Sequence, residues 1–170
     1  KLFIEPARQL PQKRFLIGGA QYPADFPWSQ NIYFTWHIPP PDHAAFYSSS
    51  NLTLNITRAA MAQMGYCPSG RLFEAAACGT PILSDWWEGL EDFFEPGTEI
   101  VVARTTDDAM NAVQMAKSDL AKLAKAARER TLAQHTCECR AIDFERAIEG
   151  AAKATSSPRW LPSDSQLVEV

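Results

Sequence analysis

Gly65-Tyr66-Cys67-Pro68-Ser69-Gly70-Arg71-Leu72-Phe73-Glu74-Ala75-Ala76-Ala77-Cys78-Gly79-Thr80-Pro81 reads as a loop containing Pro68, Ser69 and Gly70 that runs into a helix over Gly70–Cys78 with its own start and stop signals. Ser69 is a natural N-cap, leucine, glutamate and alanine favour the helix interior, and Gly79 ends it. The free backbone N–H groups at such a start form an anion site, and Gly70 lets a phosphate come close to the chain. Arg71 stands in the first turn, where the helix dipole prefers acids. A cation at that end makes sense if an anion binds there. Glu74 lies one turn further on, on roughly the same side as Gly70 and Arg71.

Short β-rich runs flank this helix, Leu52–Ile56 before it and Pro81–Ser84 after it. A helix between two strands is the unit of a parallel sheet. The pattern continues in both directions, with strands expected at Arg14–Ile17, Ile32–Trp36 and Glu99–Val102 and helical segments at Pro41–Ser48 and Trp87–Phe94. The expected fold is therefore α/β, a doubly wound, Rossmann-like parallel sheet covered by helices on both faces. Beyond it, proline is absent between Pro96 and Pro158 and glycine between Gly97 and Gly150. That stretch is rich in helix formers, and two or three consecutive helices are expected. Thr105 or Thr106 can cap the first, with Asp107 and Asp108 in its opening turn; Ser118 and Thr136 can cap later ones. Leu120, Leu123 and Ala127 share a face, as do Ala141, Phe144 and Ala151. The expected organisation is one domain over residues 1–154 and a C-terminal tail over 155–170.

The chain has 170 residues, 46% hydrophobic and 21% charged, with a net charge of −4. That is enough for one domain with a real core. The acidic balance disfavours a partner recognised by neutralising its phosphates along a backbone, so no nucleic acid is expected. No apolar run approaches the roughly 20 residues of a membrane helix, and no signal-peptide core opens the chain. Because the first residue is not Met, the chain is expected to be a piece of a longer protein. Cys67, Cys78, Cys137 and Cys139 lack metal-site spacing and are expected to be reduced and mostly buried, which fits a cytoplasmic location. Asn51-Leu52-Thr53 and Asn55-Ile56-Thr57 formally match a glycosylation acceptor, but they overlap an expected buried strand and are read as chance.

In a doubly wound sheet, ligands bind outside the carboxyl ends of the strands. After the first strand stands Gly18-Gly19-Ala20-Gln21-Tyr22-Pro23, whose proline and spacing break the dinucleotide fingerprint. Neither a P-loop nor a nucleophile elbow occurs, which weighs against an NAD dehydrogenase, a P-loop ATPase and an α/β-hydrolase. Between Arg14 and Arg104 the only Lys or Arg residues are Arg58 and Arg71, against nine acids. Both fall near the third strand and the loop that follows it. Two arginines and a helix start would suit a diphosphate without a metal. The alternative is that they pair with acids such as Glu74. His37 can be a loop histidine or touch a ligand, His43 reads as a surface histidine and His135 as one at a helix end. Asp85 fits a turn. Trp86 and Trp87 suit the core or a domain contact, and Phe93 and Phe94 the core.

With these residues in view, positions 13–150 resemble the C-terminal, donor-binding domain of GT-B glycosyltransferases of the group 1 type. They look closest to the spore-maturation CgeB-like branch. Ser69 to Pro81, with its Phe-Glu-Ala-x-Ala-Cys-Gly-x-Pro core, carries the resemblance, followed by Leu83-Ser84-Asp85, Phe94 to Val101 and Gln134 to Ala141. The resemblance implies one half of a GT-B fold that binds a nucleotide-diphosphate sugar. Glu74 would meet the ribose hydroxyls, and Ser69, Gly70 and Arg71 the diphosphate, with Arg58 nearby. Trp36, His37 and Ile38 would lie on the loop that receives the base, and Gly18 and Gly19 in the glycine turn near the phosphates. No metal and no further cofactor is implied. Group 1 enzymes often carry a second glutamate eight positions before the first; here that position is Tyr66, so sugar recognition must differ. The missing partner would be an N-terminal acceptor-binding domain, which leaves catalytic residues unassigned and the isolated domain inactive. The rival is a non-catalytic nucleotide-binding or interaction module that kept the fold. A receiver-like signalling domain would need an acidic cluster after the first strand, and Gly18-Gly19-Ala20 supplies none.

Overall fold

A computed structural model describes residues 1–20 and 22–156. They fall into two compact units that divide after Gln134. The first unit opens with α1 (Ile4–Gln9), which the sequence reading did not anticipate. Pro6 sits in its first turn, where a missing N–H costs nothing. The buried Asn31 amide donates to the carbonyls of Ala7 (2.8 Å), Leu10 (3.1 Å) and Lys13 (3.0 Å) and so satisfies the end of the helix.

The five expected strands form close to where they were placed: β1 (Phe15–Gly18), β2 (Ile32–Thr35), β3 (Thr53–Asn55), β4 (Ile82–Asp85) and β5 (Val101–Ala103). All pairings are parallel, but the strands make two sheets, β1–β2 and β3–β4–β5, rather than one. The helices between them are α2 (His43–Ser48), preceded by a 3-10 turn over Pro40–Asp42, then α3 (Ala59–Met64) and α4 (Gly70–Ala77). The expected helix over Trp87–Phe94 is only a 3-10 turn at Leu90–Asp92. Gly89, at φ +89°, breaks the helical path just before it.

The β3–β4–β5 sheet is covered on both faces, as expected. Ile82 points to one side, into a cluster with Leu72, Ala75, Ala76, Trp87, Leu90, Phe94, Ile100 and Ala127. Its neighbour Leu83 points to the other, into a cluster with Ala103, Ala109 and Ala112. This alternation is the period-2 geometry of a strand buried on both sides. The β1–β2 sheet departs from expectation. One face packs Phe15, Ile17 and Ile32 against Ala7 and Leu10, while Leu16 and Tyr33 on the other remain about half exposed. Pro23 and Pro27 between the two strands leave no room for a covering helix. Edge-to-face aromatics, Tyr22 on Phe26, Tyr22 on Phe34 and Trp28 on Phe34, gather along the connecting segment, and Phe26 packs against the covered face.

The helical C-terminal part follows the expected pattern. In α5 (Thr106–Gln114), Thr105 and Asp108 form a reciprocal capping box. The backbone N–H groups of Arg104 and Thr105 hold the Asp108 carboxyl below its ordinary range. Leu120, Leu123 and Ala127 bury one face of α6 (Lys117–Gln134), which packs on α4. That helix begins before Ser118, so Ser118 is not its cap. In the second unit, α7 (Cys137–Ser156) is capped by Thr136, whose hydroxyl accepts from the Cys139 backbone N–H at 3.3 Å. The expected tail beyond Ser156 lies outside the described residues. None of the four cysteines forms a disulfide, and none is buried: Cys137 is exposed and the others are intermediate. No helix among the described residues is long and apolar enough to cross a membrane.

The loop after α3 carries the main backbone departure. Tyr66 takes φ +49°, its N–H donates to the Glu88 carbonyl at 2.6 Å, and its ring lies over Gly89. A Cβ on Gly89 would run into that ring. Gly89→Ala is expected to lower stability by about 1–2 kcal/mol from the left-handed backbone alone. Any loss above that should return when Tyr66 is also cut to alanine. Urea midpoints of the single and double variants read this, and an unchanged Gly89→Ala midpoint would refute it.

Candidate functional site

The site lies where the carboxyl ends of β3 and β4 meet the start of α4. Helix α4 starts where the sequence placed it, with the Ser69 hydroxyl accepting from the Arg71 backbone N–H at 3.4 Å. Leu72, Ala75 and Ala76 bury its inner face, and this leaves Gly70, Arg71 and Glu74 exposed. The spacing expected to put Gly70 and Glu74 together does so: a Cβ on Gly70 would lie 3.6 Å from Glu74 Oε1.

The alternative in which Arg71 pairs with Glu74 is not what forms. Arg71 Nη1 donates, at a long 3.4 Å, to Oδ1 of Asn55 at the end of β3, and among the described residues no carboxylate pairs with Arg71. Asn55 is held in turn, donating its amide to Ser84 Oγ at 3.0 Å, and both residues are buried. This buried role excludes Asn55 as a glycosylation acceptor. Asp85 anchors the next loop by accepting from the Thr57 N–H (3.0 Å) and hydroxyl (2.9 Å). Arg58 caps the start of α3 without a side-chain cap bond, and its guanidinium makes no hydrogen bond or ion pair among the described residues. Nothing joins it to Arg71.

Glu74 has a different partner. Its Oε2 lies 2.9 Å from Nδ1 of His43, the first residue of α2, and His43 Nε2 lies 3.0 Å from the Ile38 carbonyl. Burial, and after it the Glu74 carboxylate, raises the nearby Tyr47 phenol above its ordinary value. Ile38 also presses on Gly18, where a Cβ would come within 2.9 Å of Ile38 Cγ1. Ile38 and Glu74, far apart in sequence, are thus linked through one imidazole, and Gly18 leaves room for the Ile38 side chain. Gly19 continues the β1–β2 ladder, its N–H donating to the Thr35 carbonyl at 3.0 Å. Trp36 and His37 are exposed on the same loop as Ile38, and among the described residues neither forms a hydrogen bond or ion pair with Ser69, Gly70, Arg71 or Glu74. Trp86 is half exposed, donates to Glu91 and lies under Arg104, while Trp87 and Phe94 are core.

The residues the sequence reading missed are His43, Asn55, Thr57 and Ser84. An amide side chain at the carboxyl end of a strand, where ligands bind in such sheets, is a usable signal for Asn55. His43 carried none, because its partner lies 31 positions away.

Comparison with known proteins agrees with this architecture. Residues 1–146 match the family described as glycosyl transferase-like. No curated protein matches the sequence. Among solved structures, sucrose-phosphate synthase from Thermosynechococcus elongatus is similar at a TM-score of 0.73 and 20% identity, over 90% of this chain and 42% of that one. HepE of Anabaena, in complex with UDP-glucose, is similar at 0.67 and 14%, over 90% and 44%. The C-terminal domain of the group 1 glycosyl transferase LpcC from Francisella tularensis is similar at 0.61 and 11%, over 80% and 76%. The chain therefore spans less than half the length of the first two and most of the isolated C-terminal domain. At these identities the structures speak to the fold alone, which is that of GT-B C-terminal domains. The family match covers most of the sequence, and the chain belongs to the glycosyl transferase-like family.

Proposed function

We propose that this chain is the donor-binding half of a GT-B glycosyltransferase that moves a sugar from a nucleoside-diphosphate sugar to an acceptor. The observation that carries this reading is Arg71: a guanidinium at a helix N-terminus, paired with no carboxylate among the described residues, with Glu74 one turn away engaged elsewhere. The bond to a neutral amide at 3.4 Å leaves most of its donors for a ligand, and an anion is what a helix start and a guanidinium both favour. Ser69, Gly70 and Arg71 would hold the diphosphate, with Arg58 closing on it from the start of α3. Glu74 would meet the ribose, Trp36, His37 and Ile38 the base, and Gly18 and Gly19 the approach to the phosphates. The charge that develops on the leaving diphosphate would be stabilised by these groups, with no divalent metal assigned.

The acceptor site and any catalytic base belong, in this reading, to an N-terminal domain of a longer protein. The short span against sucrose-phosphate synthase and HepE supports this. The Phe73 to Pro81 motif supports placement in the CgeB-like branch, and four cysteines without a disulfide support a cytoplasmic location.

One observation favours the rival, a nucleotide-binding module without turnover. Tyr66 holds the position where group 1 enzymes often place the second glutamate, and its ring covers Gly89. Calorimetric titration of the chain with UDP, GDP and ADP, with and without magnesium, tests the shared part of the two readings. Metal-independent binding of one nucleotide is expected; no binding of any would refute the donor-binding reading and leave the rival only as an interaction module. Turnover by the full-length parent separates them.

A further inference from the structure

We infer that His43 is a positioning residue that ties the Glu74 carboxylate to the base-side loop, so that recognition of a nucleoside's ribose depends on the imidazole. The inference rests on the donor-binding reading above and adds to it a residue that the sequence placed only at the surface.

His43 stands between two acceptors: Glu74 Oε2 at 2.9 Å from Nδ1 and the Ile38 carbonyl at 3.0 Å from Nε2. The two ring nitrogens thus bridge a side chain on α4 and the backbone of the loop that leads into α2.

The ring is also held from outside. It stands edge-on to Tyr47, with centroids 6.1 Å apart and planes at 77°. The three prolines 39–41 fix the backbone that leads into α2. Glu74 is about half exposed, so without His43 its carboxylate would have several rotamers to choose from. With His43, Oε2 is tethered and Oε1 turns toward Gly70, at the start of α4. A carboxylate fixed in this way suits two adjacent hydroxyls, the chemistry of a ribose cis-diol, better than a diphosphate. The carbonyl on the far side of the ring belongs to Ile38, on the loop assigned to the base. A shift of that loop would therefore reach Glu74 through a single side chain.

The experiment titrates the chain with UDP, GDP and ADP, the 2′,3′-dideoxy counterpart of whichever binds, and inorganic pyrophosphate. The proteins are wild type, His43→Ala, His43→Gln, Glu74→Ala and the His43→Ala/Glu74→Ala double variant, with thermal melts as a fold control. His43→Ala is expected to weaken the ribonucleotide three- to tenfold, the dideoxy nucleotide less, and pyrophosphate not at all. His43→Gln, which keeps N–H donors on its side-chain amide, should recover part of the loss, and the double variant should bind no more weakly than Glu74→Ala. Unchanged affinity in His43→Ala, an equal loss for all three ligands, or losses that add in the double variant would each overturn the inference. Failure of the donor-binding reading looks different: wild type would then bind no nucleotide at all, and the inference would fall with it.

Discussion

Trp87→Ala is expected to destabilise the first unit by about 3–5 kcal/mol, the range for truncating a large buried aromatic. Trp87 is 1% exposed and fills the cluster that joins β4 to α4 and α6. Phe93 packs beside it, with ring centroids 6.0 Å apart. A domain of this size has roughly 5–15 kcal/mol in total, so the loss should lower the melting temperature by roughly 6–20 °C. The indole Nε1 is buried and finds no acceptor among the described residues. Leaving such a donor unpaired costs about 1–3 kcal/mol, and phenylalanine would remove it. Trp87→Phe should therefore lose less than half of what Trp87→Ala loses. Urea denaturation of the two variants makes the comparison. Equal losses would mean that the indole N–H is satisfied in solution.

Arg71→Ala is expected to weaken nucleoside-diphosphate binding by about tenfold to a hundredfold, since a hydrogen bond to a charged group contributes about 1.5–3 kcal/mol. Arg71→Lys should fall between, because an ammonium keeps the charge but not the two-pronged geometry. The effect should reach pyrophosphate as well, in contrast to the effect of His43→Ala. A control is built into the structure: Asn55 Oδ1 is buried and accepts from Arg71, so Arg71→Ala leaves that acceptor without its donor. A modest drop in melting temperature is expected alongside the lost affinity, and titrations belong well below it. Unchanged affinity in Arg71→Ala would remove the diphosphate from this helix start.

Much of this was open to a reader of residues alone. Ser69 and Gly79 delimited α4, and the β-rich runs around it placed all five strands within a residue or two. Thr105 and Asp108 announced a capping box that formed. These signals are local, each written within a few positions of where it acts. The misreadings share a cause as well. Trp87–Phe94 carries helix-like composition, but Gly89 at positive φ turns the chain there. The β1–β2 face was expected to be covered, but Pro23 and Pro27 allow only a loop. In both places a backbone restriction outweighed the apolar pattern.

By itself the sequence determined the α/β class, the order of strands and helices, the start of α4 with its exposed Arg71 and Glu74, and membership of a family. Hydrophobic period, caps and breakers act over short range, and a motif is a local string. Tertiary structure alone decided that the strands divide into two sheets and that Arg71 reaches back to Asn55. It also decided that Glu74 spends one oxygen on His43 rather than on Arg71. Those partners are brought together by packing across tens of residues, and which acceptor a donor finds depends on geometry that no local pattern encodes.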